Sequence, residues 1–224
     1  MAQPENKPGD KPANAEAFII ANTRLLTPPL VPEVKLHLAE ESLPIWQKSE
    51  EELGAINVAP PYWAFAWAGG QALARYILDN PVTCSGKTVL DLGSGSGLSA
   101  LAAAKSGARR VMAADIDPFA NAACRLNAKS NGLTIETISN DLLADRYSAF
   151  DILLVGDLFY ERLLAARVLD YIETVKAAGG SILIGDPQRS YFPQNRFTAL
   201  IEYCVPVTRE LEDAEIKRTV VWAA

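Results

Sequence analysis

The 224-residue chain carries a net charge of −6 and is 49% hydrophobic and 21% charged, a globular balance suited to one large α/β domain or a domain with an appendage. Its acidity argues against an extended phosphate backbone as the main ligand, because proteins that bind one present basic patches. One histidine (His37) and three scattered cysteines (Cys84, Cys124, Cys204) exclude the usual zinc ligand sets and read as reduced thiols of a cytoplasmic protein, and no apolar run reaches the roughly 18–20 residues of a membrane span.

Residues 1–20 open with "MAQPENKPGDKPANAEAF", polar and proline-rich, and read as a flexible tail rather than a signal or transit peptide. Residues 21–60 mix short helical patterns with Pro28, Pro29, Pro32 and Pro44, and are expected to form an ordered N-terminal helical extension over the core. Within them, the Ser49–Glu52 charge run reads as a solvated helix start. The main domain is placed at 61–224. It begins on the aromatic turn "PYWAFAWAGG", and a helix follows with Leu73, Tyr76 and Ile77 on one stripe.

Beyond Pro81 the punctuation becomes regular. "KTVLDLG" reads as a buried strand, "GLSALAAAKSG" as a helix stopped by Gly107, and "RRVMAAD" as a strand. "DPFANAACRLNAKSNG" is a helix opening with Pro118, and "TIETIS" and "FDILLVG" are strands. "ERLLAARVLDYIETVKAAGG" is a helix striped by Leu164, Val168, Leu169, Ile172 and Val175, and "SILIGD" is a strand. A helix is expected near Arg196–Tyr203, then strands around Val205–Leu211 and Arg218–Trp222. Alternating strands and helices imply a mainly parallel sheet covered on both faces.

The glycine loop "DLGSGSG" holds Asp91, Gly93, Ser94, Gly95 and Gly97 between a strand and a helix, where a nucleotide-type ligand is bound in such sheets. A dinucleotide fingerprint places its third glycine one residue later, and a P-loop ends in Gly-Lys-Ser/Thr. Neither is present, so the loop is not arranged for a pyrophosphate. Asp91, just before it, suits a cation or an amino group, and S-adenosylmethionine, an amino-acid-bearing nucleoside, matches that chemistry. Asp115 ends the next strand, where an acid can accept both hydroxyls of a ribose; Asp117 competes for that role or caps the helix at Pro118. Ile116 lies between them. Asn140 and Asp141 end the third strand, where they could meet an adenine amino edge. Asp157 ends the fourth, followed by Phe159 and Tyr160; it is either a helix entry or a reacting end.

These landmarks resemble the seven-β-strand S-adenosylmethionine-dependent methyltransferases, and more closely the electron transfer flavoprotein β-subunit lysine methyltransferases. The segments that carry the resemblance are "PYWAFAWAGGQALARYILDNP", "GKTVLDLGSGSG", "DIDP", "GDLFY", "LIGDPQR" and "TVVW". It covers the chain from about Thr23 onward. It implies a Rossmann-like seven-stranded sheet in order 3-2-1-4-5-7-6 with strand seven antiparallel. It also implies that Asp157 and Tyr160 form an Asp-x-x-Tyr signature at the acceptor lysine, and that Trp67 borders the cofactor. The chain departs from the family at Ala68, where proline is frequent, and its opening residues do not read as the mitochondrial leader expected of eukaryotic members. Both departures point to a bacterial or cytosolic protein.

The expected activity is transfer of methyl groups from S-adenosylmethionine to lysines of the electron transfer flavoprotein β subunit, with a ribosomal protein as an additional target. Asp157 would position the amine, and Tyr62, Trp63, Phe159 and Tyr160 would line a partly desolvated channel; Phe159 reads equally as core, and Trp46, Trp63, Trp67 and Trp222 read mostly as packing, with function favoured only for Trp67. No metal, nucleic acid or membrane partner is expected, and the chain is expected to act as a monomer. The alternative is N-methylation of another protein amide or of a nucleobase amine. It ranks lower because such enzymes place Asn/Asp-Pro-Pro-aromatic at this strand end, and both prolines are absent. A non-catalytic nucleoside-binding or redox domain ranks lower still.

Overall fold

In the computed structural model, residues 15–39, 60–145, 149–212 and 214–224 are described. Trp46 and the Ser49–Glu52 run lie outside them. Helix α1 (Ala15–Asn22) falls partly within the stretch read as tail, and its Ile19 is fully buried. Strands β1 (Arg24–Leu26) and β2 (Leu36–Leu38) pair antiparallel in a small separate sheet. Among its described residues the extension thus contains a β-ribbon besides the end of a helix, where helix was expected.

Helix α2 (Ala68–Asp79) leads into the main sheet. Strand β3 (Thr88–Leu92) is buried throughout, then come helix α3 (Leu98–Lys105), strand β4 (Arg110–Ala114), helix α4 (Pro118–Ser130) and strand β5 (Glu136–Ile138). The short helix α5 (Leu142–Asp145), strand β6 (Ile152–Gly156), helix α6 (Arg162–Ala177) and strand β7 (Ser181–Asp186) follow. The chain closes with β8 (Thr198–Pro206), the helical turn α7 (Arg209–Glu212) and β9 (Ile216–Ala223).

The seven strands run in the order β5-β4-β3-β6-β7-β9-β8, and β9 is antiparallel to both of its neighbours. Counted within the sheet this is 3-2-1-4-5-7-6, as the resemblance implied. The strands read as continuous apolar runs because alternate side chains enter two cores. Val89, Val111, Ile152 and Leu154 face a core shared with α2 and α3, while Leu90, Met112, Leu153 and Val155 face one shared with α6. The N-terminal ribbon is tied to α4 by side-chain amides: Asn127 Oδ1 accepts from His37 N (2.7 Å), and Asn131 accepts from Lys35 N (2.9 Å) while donating to its carbonyl (2.6 Å).

The helix expected near Arg196–Tyr203 is instead most of β8, preceded by one 3-10 turn at Gln194–Arg196. The strand expected at Val205–Leu211 is correspondingly displaced; only Val205 and Pro206 belong to β8. Eight registered pairs with β9, broken by a bulge between Ala199 and Ile201, supply the backbone partners. Non-local pairing outweighed a short helical periodicity.

Candidate active site

The carboxyl ends of β3, β4, β6 and β7 meet beside the start of α2. The glycine loop makes the turn from β3 into α3 with Gly93 at φ +63° and Gly97 at φ +80°, a region that side chains disfavour. Space excludes a side chain as well: a Cβ on Gly93 would lie 2.6 Å from Leu158, and one on Gly97 would lie 2.8 Å from Cys124 Sγ. The loop thus packs between the β6 exit and α4 while its backbone stays open to a cleft. That cleft is lined by Trp67, Gly70, Asp91, Ser94, Gly95 and Asp157, among others. Sequence reasoning separated these residues by up to ninety positions; the topology brings them to one site.

Asp91 is buried and accepts a hydrogen bond from Ala100 N (3.0 Å). Burial, reinforced by nearby Asp115 and opposed by that N–H, pushes its carboxyl up to about 7. Asp115 accepts from Gly95 N and Asp117 N, both at 2.9 Å, which locks the β4 exit onto the loop; burial raises its pKa against these two bonds. Asp117 accepts from Phe119 N at 2.8 Å and is the cap of α4. The two acids are therefore separated by role, with Asp115 held against the glycine loop. Ile116 between them is largely exposed, at 70%.

Asn140 and Asp141 are used locally. Asp141 accepts from Leu143 N (3.2 Å) at the start of α5 and pairs with Arg167 (2.6 Å), while Asn140 donates to Asp145 at 3.3 Å. Neither is among the residues that line the cleft.

Asp157 sits at φ +57°, one of two non-glycine residues in the left-handed region among those described. Its Oδ2 accepts from Gly70 N (3.0 Å), and its Oδ1 accepts from Arg189 Nε and Nη2 (3.0 and 2.6 Å). Burial raises its pKa and the Arg189 charge opposes the rise. The close approach of α2 that permits this depends on Gly69, where a Cβ would collide with the Gly185 carbonyl and lie 2.5 Å from Asp157 Oδ2.

The channel assignments divide. Tyr62 and Tyr160 are each about half exposed, with ring centroids 5.9 Å apart, and Tyr62 lies 6.1 Å from Trp67. Trp67 Nε1 donates to Tyr62 O (2.9 Å), closing the aromatic turn. Burial, with Tyr62, Glu161 and Asp115 nearby, raises the Tyr160 phenol. Phe159, by contrast, is fully buried against Phe192 (5.1 Å), and Trp63 stacks on Phe119 (6.0 Å) beneath α1. Both belong to the core and not to a channel: Phe159 packs in the cluster shared with α6, and Trp63 in the one between α1 and α4.

Three residues at this end went unassigned in the sequence. Arg189 also binds Glu212 through two N–H groups (2.8 and 2.6 Å), and its guanidinium lies 5.7 Å from the Trp67 ring centroid. Asp186 is fully buried, accepts from Arg189 N (2.7 Å), and is pushed up to about 7 by burial and by neighbouring Asp157. "LIGDPQR" was a landmark of the resemblance, yet its spacing does not show that Gln188 at φ +65° turns Arg189 back onto Asp157.

Comparison with known proteins places the chain in a family. The profile of the ribosomal protein L11 methyltransferase (PrmA) family matches residues 71–184. The mouse electron transfer flavoprotein β-subunit lysine methyltransferase is 37% identical over 214 residues, which span 92% of this chain and 83% of the mouse protein. The chain belongs to the electron transfer flavoprotein β-subunit lysine methyltransferase family. The human family member is 36% identical, with 92% and 80% of the two chains covered. The fold is also that of the magnesium protoporphyrin IX methyltransferase from Synechocystis, solved with bound SAM (TM-score 0.50, 16% identity, 69% and 79% covered). In this chain the Asp157–Tyr160 segment follows β6, and Asp157 lines the same cleft as the glycine loop.

Proposed function

We propose that the chain is an S-adenosylmethionine-dependent protein-lysine N-methyltransferase whose acceptor is the electron transfer flavoprotein β subunit. The observation that carries this reading is that Asp157 and the glycine loop line one cleft, so a carboxylate able to hold an amine opens onto the nucleotide-type turn. The acceptor's identity is supported by the relatives' activity. A ribosomal protein is a second acceptor in this reading, supported by the L11 methyltransferase profile. We place the reaction in the cytoplasm and the active form as a monomer.

The residues present fit the cofactor. Asp91, buried and held by one backbone N–H, is matched to a cationic amino group; Asp115 is matched to ribose hydroxyls; the loop glycines permit close approach; and Trp67 forms a wall. When bound, S-adenosylmethionine supplies an electrophilic methyl on a sulfonium sulfur, which keeps the C–S electron pair as the nitrogen–carbon bond forms. A free lysine has a pKa near ~10.4, so the enzyme must bind it where the neutral amine is tolerated. In this reading Tyr62, Trp67 and Tyr160 border the incoming side chain and offer aromatic faces to its ammonium before the proton is lost. Asp157 Oδ2 accepts a hydrogen bond from the nitrogen and fixes its line of attack, and the proton leaves to water.

Incubation of the purified chain with S-adenosylmethionine and, separately, the purified β subunit, a ribosomal protein extract and RNA tests this reading. Peptide mapping by mass spectrometry is expected to find methyl groups on lysines of the β subunit. Methylation of RNA or of glutamine amides alone would replace it with the alternative.

A further inference from the structure

Asp157 presents a difficulty as an acceptor site. A bare buried carboxylate beside a lysine favours the ammonium, the form that cannot attack. In this structure the carboxylate is not bare. Both N–H groups that Arg189 turns toward it end on Oδ1, while Oδ2 takes a single N–H from Gly70, which lines the cleft together with Asp157, and so keeps acceptor capacity. Arg189 is itself held from three sides: its backbone by Asp186, its other N–H groups by Glu212, and its plane by the face of Trp67. Asp157 and Gln188, the residue before Arg189, both have left-handed backbone. A flexible lysine at position 189 would not reproduce the planar fork.

We propose that Arg189 is a positioning residue that tempers Asp157: by partly neutralising Oδ1 it lets Oδ2 hold the acceptor nitrogen as an amine instead of trapping it as an ammonium. This inference rests on the lysine-methylation reading of the cleft and says how that cleft handles the proton. The charged groups around the pair are Asp186 on β7, Glu212 on α7 and Lys217 on β9, the last 3.4 Å from Glu212, with Asp91 on the opposite wall of the cleft. Glu212 competes with Asp157 for the guanidinium and so limits the tempering.

The test is the single-turnover rate and the acceptor KM across pH for wild type, Arg189→Gln, Arg189→Lys and Glu212→Gln, with thermal unfolding and cofactor titration as folding controls. Arg189→Gln is expected to leave the acceptor KM unchanged or lower. Its rising rate limb should move about one pH unit alkaline, so that the rate at about pH 7 falls roughly tenfold. Arg189→Lys should hold the limb close to wild type. Glu212→Gln should move it to lower pH, and it decides the matter if Arg189→Gln does not fold. A limb that stays put in the folded variants, or a raised KM with an unchanged rate, would overturn the inference and leave Arg189 a structural prop. A wild type that transfers no methyl to any amine would instead overturn the lysine-methylation reading beneath it.

Discussion

At the β3–β4 end of the cleft, Asp91 and Asp115 rest on backbone N–H groups of Ala100, Gly95 and Asp117, whereas at the β6–β7 end Asp157 rests on Gly70 N and on a whole guanidinium. Backbone dipoles hold and orient a carboxylate but supply only partial charge, so Asp91 remains receptive to a cation brought by a ligand and Asp115 to its hydroxyl donors. Asp157 already has a resident cation. The difference separates two tasks performed by the same side chain: strong attachment of a permanently charged cofactor, and restrained attachment of an amine that has to lose its proton. Carboxylate identity alone would not distinguish them.

The contrast can be broken most sharply at Asp157. Asn keeps an acceptor for Gly70 N and tolerates the left-handed backbone, but loses the charge. Asp157→Asn is expected to lower methyl transfer by about a hundredfold to a thousandfold while cofactor affinity holds, measured by transfer assay and calorimetry. Equal loss of both would mean that the two ends do not act separately. Gly69→Ala comes next. The added methyl meets the Gly185 carbonyl and the Asp157 carboxylate, so α2 must move off β7. A loss of about 1–3 kcal/mol in denaturant unfolding is expected, together with reduced activity. An unchanged midpoint would show that α2 has slack there.

The smallest effect sharpens the cofactor side. Asp91 stands at about 7 in the free protein, so below that pH it is mostly protonated. A cationic ligand favours its ionised form, so binding releases a proton, and affinity should rise with pH and level off above about 7. A gain approaching about tenfold is expected per pH unit below the plateau, with proton release visible as buffer-dependent heat. Asp91→Asn should abolish that dependence.

Much of this was legible because it is local. The glycine loop, the strands around it and the Pro118 helix start are written in short stretches, and the Asp157 exit stands at a strand end. What escaped depends on distant partners. The three-residue strands of the N-terminal ribbon pair with each other and are docked by Asn127 of α4 and its cap Asn131. Most of the stretch "TALIEYCVP" fell within the helix expected near Arg196–Tyr203, and pairing with β9 decides otherwise. Phe159 and Tyr160 are chemically similar neighbours, yet one enters the core and the other the rim. Arg189 looks like an ordinary loop arginine until Gln188 turns the backbone.

The central claim, that the glycine-loop end is built for a sulfonium-bearing nucleoside and not for a dinucleotide, is tested most directly by isothermal titration with S-adenosylmethionine and, separately, with NADH. Saturable binding of S-adenosylmethionine at one site per chain, with no heat from NADH, is the expected result. Heat from NADH alone would contradict it.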